Sequence, residues 1–420
     1  MSGTSGNSAS TGAGTSASTP GDTIVRKQKS RTGLYAVIAV VVVVIIVIVA
    51  GYGLGWFKGS SSSTAGGCIS PSALPTPTTL NGAGSSLVAP LMIAWSLAYT
   101  ASTVNYASVG SSAGIADITA KDVDFGASDA PLNPTQTADV PSPGVVTIPE
   151  SAGAAVPIYN LPSVSVTLKF TGQILAAMYL GDITNWNNSA LQAVNPGVVL
   201  PNANIVIVHR SDGSGTTFVW SSFLSAANAT WKNTLGHSTT INWPVGIGSK
   251  GNSGVTTTVK STVDAIGYVD INYALTNSVA YGAVQNPDGN FIVANVTNIG
   301  SAITDSLTTE SLPSATGSWY NFSVLNAPGA KDYPIATFTY IFVYTDLGLA
   351  YSSAYGTDRA QNLVDFLAWI VSTNGQSYAA PLYYVPLPAS VAASDLTTIN
   401  SIMYNGATLT PCAPSSIPPS

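Results

Sequence analysis

Three times this chain sets a Gly/Ser-rich turn directly in front of a helix, and that repeated junction restricts the fold more than any other feature. Gly82-Ala83-Gly84-Ser85-Ser86-Leu87 precedes a helix expected over Ala89 to Tyr99. Gly110-Ser111-Ser112-Ala113-Gly114 follows a short strand at Val104 to Tyr106 and leads into a helix at Ala113 to Ala120. Arg210-Ser211-Asp212-Gly213-Ser214-Gly215-Thr216-Thr217 follows the β-branched run Ile205 to Val208 and opens a helix over Thr216 to Ala227. Further strands are expected at Val123 to Gly126 and Thr337 to Tyr344, and a further helix at Leu363 to Ser372. Alternation of this kind implies α/β layers around a sheet rich in parallel pairs.

The junctions also carry chemistry. A helix N-terminus presents unpaired N–H groups and a partial positive charge. Glycine lets the backbone approach a ligand closely, and Ser or Thr adds hydroxyl donors while capping the helix. One such turn is ordinarily only a cap. Three that converge would make an anion cage holding little formal charge. Composition requires that economy: only 8% of residues are charged, against a usual share of roughly 25%. The formal net charge is −6, and no basic face is available to neutralise a nucleic-acid backbone. Of the 13 basic residues, four (Arg26, Lys27, Lys29, Arg31) precede a long apolar run, and Arg210 is one of the nine that follow. Its guanidinium can grip a tetrahedral oxyanion with two parallel bonds. Asp212, two residues on, can pair with Arg210, hold it in place for a ligand, or do both.

Asp129, in Phe125-Gly126-Ala127-Ser128-Asp129-Ala130-Pro131, is either a turn residue before proline or the most informative residue in the chain. A carboxylate in an anion pocket repels its guest unless the guest donates a proton to it. Phosphate near neutral pH keeps at least one P–OH and sulfate keeps none, so a carboxylate acceptor would select phosphate.

The chain ends differ from this middle. Residues 1–33 are a Ser/Thr/Gly-rich tail with a basic cluster, expected to be disordered and cytoplasmic. Residues 34–56 are uncharged and long enough to span a hydrocarbon core of about 30 Å as a helix, with Tyr35, Tyr52 and Trp56 near the ends. Cations before the span predict a single-pass anchor with the bulk of the chain outside the cell membrane. The run is longer than a cleaved signal segment requires. Residues 57–79 form a Ser/Thr/Pro stem. Cys68 and Cys412 are expected to bridge in an oxidising setting, and the alternative is two free thiols. With two cysteines and two histidines, His209 and His237, no metal-ligand spacing appears, and no cofactor is expected. Sequons at Asn187, Asn228, Asn295 and Asn321 suit a glycosylated exported surface.

At these motifs the sequence resembles the phosphate-binding proteins of ABC-type phosphate importers. The likeness runs through Gly82 to Pro90, Asn105 to Gly114, Val123 to Leu132 and His209 to Phe218. It continues through Tyr179 to Trp186, Asn195-Pro196-Gly197, Gly246 to Gly254 and Ala265 to Val269. It is collinear over roughly 80–402. It implies a type II periplasmic-binding-protein fold, an α/β architecture of two lobes joined by a two-strand hinge. The expected division is 80–155 and 330–412 for the first lobe and 156–329 for the second, with 413–420 as a tail. Carried over motif by motif, Ser86, Leu87 (through its N–H) and Ser111 would contact inorganic phosphate from the first lobe. Asp129 would accept its proton. Arg210, Ser214, Gly215 and Thr216 would close from the second lobe, with Asp212 supporting Arg210. The family usually has Thr-Phe where this chain has Ser86-Leu87, and proline where it has Val88. The anchored N-terminus resembles archaeal surface-bound members. The implied partners are ABC permease subunits, and the receptor is expected to be a monomer.

Other classes fit less well. Gly110 to Gly114 also matches the G-x-S-x-G elbow with Ser112 as nucleophile, but a hydrolase needs a histidine base and only His209 and His237 are available. Asp124-Phe125-Gly126 spells a kinase triplet without its companion motifs. A receptor for sulfate or molybdate would be ill served by Asp129. A non-enzymatic phosphate receptor is therefore the expectation.

Overall fold

Residues 77–411 are described by the computed structural model. Eight strands form the path of one continuous, curled sheet: β1 (Thr79–Gly84), β2 (Thr103–Ser108), β3 (Phe125–Ser128), β4 (Val145–Tyr159), β5 (Val206–Arg210), β6 (Ile247–Ser249), β7 (Ala265–Asp270) and β8 (Ala336–Tyr344). Their spatial order is β2-β1-β3-β8-β4-β7-β5-β6. The two ends are parallel, β1 with β2 and β3, and β5 with β6 and β7. The middle, β3-β8-β4-β7, is antiparallel.

The long strand β4 belongs to both halves. Val145 to Ala154 pair with β8, and Ala155 to Tyr159 pair with β7. All but the first of its residues are buried. Pro149 sits in this central strand without an N–H to offer, and the ladder answers with an irregularity opposite Thr339 and Tyr340. The change of partner falls between Ala154 and Ala155.

Helices α1 (Ala89–Ala98), α2 (Ser111–Ala120), α3 (Gly215–Ala227), α4 (Gly251–Ser261) and α5 (Thr357–Val371) flank the sheet. α1 has proline in its first turn, where the missing N–H costs nothing. α2 begins two residues earlier than the sequence pattern suggests, so Ser111 opens it. β3 lies two residues later than expected, and the Asp124 side chain just before it accepts from the Asn81 N–H and from Arg359. α5 is longer toward its start than its apolar run showed. Each lobe has an aromatic core. Tyr99 packs edge-on to Phe366 at 5.2 Å in the first. Trp220 stacks on Tyr268 at 5.1 Å in the second, with Tyr179 and Trp243 against Tyr268. Each fully buried ring of this size contributes about 1.5–3 kcal/mol of transfer free energy, which holds the strand ends that carry the site.

Among the described residues no helix is long and apolar enough to cross a membrane. The apolar segment 34–56, the tail before it, the stem up to residue 76, and both Cys68 and Cys412 lie outside them. Asn187, Asn295 and Asn321 are exposed. Two of the four cap helices: the Asn228 side chain accepts from Trp231 N and donates to Gln173, and the Asn295 side chain accepts from Asn298 N.

Candidate functional site

The three Gly/Ser turns meet at one place, between the two lobes. From the first lobe come the turn after β1, the start of α2 and the segment after β3. They pack with almost no room for side chains. A Cβ on Gly84, whose φ is +149°, would fall 1.9 Å from the Ala127 carbonyl oxygen, and one on Gly114 2.4 Å from Gly84 Cα. Backbone bonds from Ser85 N to Ala127 O (2.9 Å) and Gly110 N to Gly84 O (2.8 Å) lock the three segments together.

Asp129 stands at the centre and is 1% exposed. Ser85 Oγ donates to its Oδ1, Thr216 Oγ1 donates to its Oδ2 at 3.3 Å, and its own N–H donates to Ser111 Oγ at 3.3 Å. Burial pushes its pKa up to about 6, while the Ser85 hydroxyl, the Arg210 charge and the Thr216 hydroxyl work to lower it. This carboxylate is not at the surface; it is the floor of the cleft.

The second lobe contributes β5 and the turn into α3. Ser214 caps α3, its Oγ accepting from Thr217 N at 3.1 Å. Gly215 is pressed against the other lobe: a Cβ there would lie 2.6 Å from both Asp129 N and Ser111 Oγ. Arg210 is 3% exposed and gives a two-pronged grip to Asp212, Nε to Oδ1 at 2.8 Å and Nη2 to Oδ2 at 2.5 Å. Asp212 also accepts from Gly251 N at 3.0 Å. Burial works to raise the Asp212 pKa, but these bonds and the guanidinium charge outweigh it and hold the group below the usual carboxylate range.

All eight residues expected from the sequence, with Asp212 in support, are therefore brought together. Leu87 differs in detail, since its N–H is taken by Ser85 Oγ at 2.9 Å. Ser112, the candidate nucleophile, is paired with a threonine: its Oγ donates to Thr239 Oγ1 across the cleft at 2.9 Å. His209 stacks on Trp243 at 4.9 Å and its Nδ1 lies 3.0 Å from Arg210 O.

Several site residues were not singled out from the sequence. Ser85 is the nearest donor to Asp129. Asn252, at the start of α4, donates from Nδ2 to Ser86 Oγ (3.0 Å) and Thr216 Oγ1 (3.2 Å), and from N–H to Ser86 Oγ (3.2 Å), so it ties the lobes together. Three tyrosine hydroxyls take three successive carbonyls of the first turn: Tyr106 that of Ser85, Tyr273 that of Ser86 and Tyr384 that of Leu87, at 2.8, 2.7 and 2.6 Å. With its carbonyls engaged, the turn is held in place beside Asp129. The only signal in the sequence was that Ser85 and Asn252 lie inside matched stretches.

Together these groups form a buried cluster with many neutral hydroxyls, one guanidinium held by its own carboxylate, and one buried carboxylate. Such a set is suited to hold an oxyanion that still carries hydrogen.

The chain matches the family model described as a PBP superfamily domain over residues 70–374. It is 37% identical to the phosphate-binding protein PstS of Xylella fastidiosa, over 79% of this chain and 87% of that protein. It is 33% identical to the phosphate-binding protein PstS of Methanocaldococcus jannaschii, over 66% of this chain and 74% of that one. Among solved structures, the phosphate-binding protein of Stenotrophomonas maltophilia superposes with a TM-score of 0.60 at 20% identity, covering 75% of this chain and 92% of that one. A periplasmic phosphate-binding protein solved with phosphate bound gives 0.59 at 18% identity, covering 77% and 99%.

Proposed function

This chain belongs to the PBP superfamily and, within it, to the PstS phosphate-binding proteins, and from that premise and its site we propose that it is the receptor that captures inorganic phosphate between two lobes for an ABC-type importer. The observation that carries this reading is Asp129: a buried carboxylate ringed by hydroxyl donors, in a cage otherwise built for an anion. Arg210, the hydroxyls of Ser86, Ser111, Ser214 and Thr216, and the amide of Gly215 supply the donors, while the Leu87 amide is spent on Ser85 Oγ. Asp129 accepts the phosphate hydrogen. A fully ionised sulfate would leave that carboxylate unpaired and repelled. Contacts from both lobes make the closed form the one that phosphate favours, and closure lowers the dielectric in which neutral donors act. No covalent step is required. The closed receptor then docks on permease subunits.

Calorimetric titration with phosphate, arsenate and sulfate tests the reading. Phosphate and arsenate are expected to compete and sulfate to fail. Asp129→Asn is expected to narrow the gap between phosphate and sulfate. A wild-type chain that binds sulfate as well as phosphate would refute it.

The site lies in the part that follows residues 34–56, and we extend the reading to a receptor held at the outer face of the cell membrane by that segment. Its support is the uncharged apolar run with four cations before it. Recovery of the full chain in the membrane fraction after a high-pH wash, and release of a chain begun at residue 77, are the expected results. A mature chain found cleaved after the apolar run removes the anchor.

A further inference from the structure

The floor of the cleft holds a second carboxyl to which phosphate binding alone assigns no task. Glu150 lies on β4, completely buried. Its Oε1 is 3.1 Å from Thr339 Oγ1, on β8, which donates to it. Its Oε2 is buried without a hydrogen-bond partner. The Thr339 hydroxyl gives its hydrogen to Glu150, yet it lies close enough to Asp129 to lower that group's pKa, so one side chain stands between the two acids. The titratable groups facing Glu150 are Asp129 from the segment after β3, Tyr106 from β2 and Tyr384 from the segment after α5. None is a cation, and Arg210, the nearest guanidinium to Asp129, stands on the other lobe and is engaged by Asp212. An ionised Glu150 would keep a bare oxygen out of water, beside another carboxylate and without a counter-charge. A carboxyl so placed takes up a proton. Burial first, then the Asp129 charge, push its pKa up to about 8 against the opposing Thr339 bond.

We propose that phosphate capture is coupled to the uptake of one proton by Glu150, whose neutral carboxyl then donates to Thr339 and makes that hydroxyl a donor to Asp129. The inference rests on the phosphate reading of the same site. With the lobes apart, water reaches the floor and Glu150 can ionise. Closure over an anion expels that water and adds charge beside Asp129, so the carboxyl takes a proton from solution. The only bond formed is the Glu150 O–H. With Glu150 ionised, Thr339 donates to Glu150 and Asp129 loses a donor. The closed, occupied form thus has the higher Glu150 pKa. Affinity is full below the open-state pKa and falls as pH rises above it, by at most about tenfold per pH unit for one proton, beyond any change from phosphate's own ionisation.

The test is calorimetric titration of the intact chain with inorganic phosphate from about pH 6 to about pH 9, in buffers of differing ionisation enthalpy that report protons bound. Glu150→Gln keeps the shape and donates at every pH. The wild type is expected to take up more protons than Glu150→Gln near pH 8, by up to one, and the two affinities should converge at low pH. Equal proton counts with parallel pH profiles, both proteins binding phosphate, overturn the proposal. No phosphate binding by either overturns the receptor reading with it. Thr339→Val is the second variant. It cuts the bridge and leaves the acid, so proton uptake should persist while affinity drops several-fold at low pH. An affinity profile matching wild type overturns the bridge.

Discussion

The molecule contains two arginine–aspartate forks of nearly the same geometry, and they differ in which partner is hidden. Arg210 meets Asp212 through Nε and Nη2 at 2.8 and 2.5 Å. Arg359 meets Asp124 through the same nitrogens at 2.8 and 2.7 Å. In the first pair the arginine side chain is 1% exposed and the aspartate 13%; in the second the arginine is 31% exposed and the aspartate 0%. The hidden member shows what each pair is for. Asp124 also accepts from Asn81 N at 2.6 Å, so it ties β1 and the approach to β3 to α5, with Arg359 lying 4.9 Å over the Tyr355 ring. That is a structural staple. Arg210 is sequestered with only two of its five N–H donors spent on Asp212. A buried cation with donors to spare, facing a cleft, is arranged for a guest.

The largest effect should come from separating the two arginines. Arg210→Ala removes the one guanidinium facing Asp129 and is expected to cost about 2–5 kcal/mol of phosphate binding, read by calorimetry. Arg359→Ala should leave phosphate affinity within a factor of about two while lowering the urea midpoint. If both variants lose affinity alike, the division of labour is wrong.

Next is Asp124→Ala, which leaves the Asn81 N–H and the Arg359 fork without their acceptor. About 2 kcal/mol of folding stability should go, the range for bonds to a charged group, with phosphate affinity retained. Denaturant titration measures it. A stability equal to wild type would show that the staple holds nothing.

These forks also show what a sequence displays and what it hides. Arg210 and Asp212 are two residues apart, so their pairing is visible along the chain. Asp124 and Arg359 are 235 residues apart, and neither carries a local sign of the other; Asp124 read as part of a strand and of a triplet set aside for want of companions. The same division runs through the site. The three Gly/Ser turns are local junctions, and they were legible together with the strands and helices they join. The tyrosines that hold the first turn reach it from 21, 187 and 297 residues away. A tyrosine that caps a distant carbonyl looks like any core aromatic until the fold closes. Glu150, within Val-Thr-Ile-Pro-Glu-Ser, has the spelling of an exposed strand residue, yet β4 passes between two partners and exposes neither face.

Asp212→Asn sharpens the comparison from the support side. Arg210 keeps its charge but loses half of its clamp, and about 1 kcal/mol of phosphate binding should follow, near fivefold. The pH dependence has a definite sign. The Asp212 pKa is depressed in the folded chain, so its contribution is complete above the ordinary carboxylate range and is lost as pH falls through the depressed value. Wild type and Asp212→Asn should therefore differ in affinity near neutrality and converge in acid. A constant difference across that range would mean that the carboxylate charge is not what holds Arg210.

The smallest effect, and the finest test, is a matched pair of lysine substitutions. Lysine keeps the positive charge but replaces the planar fork with a point charge on a flexible stem. At Arg359 the fork is one-third exposed, so water can satisfy whatever Asp124 loses, and the charge still reaches both the carboxylate and the Tyr355 ring. Arg359→Lys should cost no more than about 1 kcal/mol of stability, the range of partly exposed ion pairs. At Arg210 the same change removes one of the two bonds to Asp212 in a place water does not reach, and it takes away the planar donors facing the cleft. Its loss should appear in phosphate affinity and exceed the loss of stability at Arg359. Equal and small penalties at both sites would mean that charge alone is used at Arg210, and that the second bond to Asp212 contributes nothing to holding the guest.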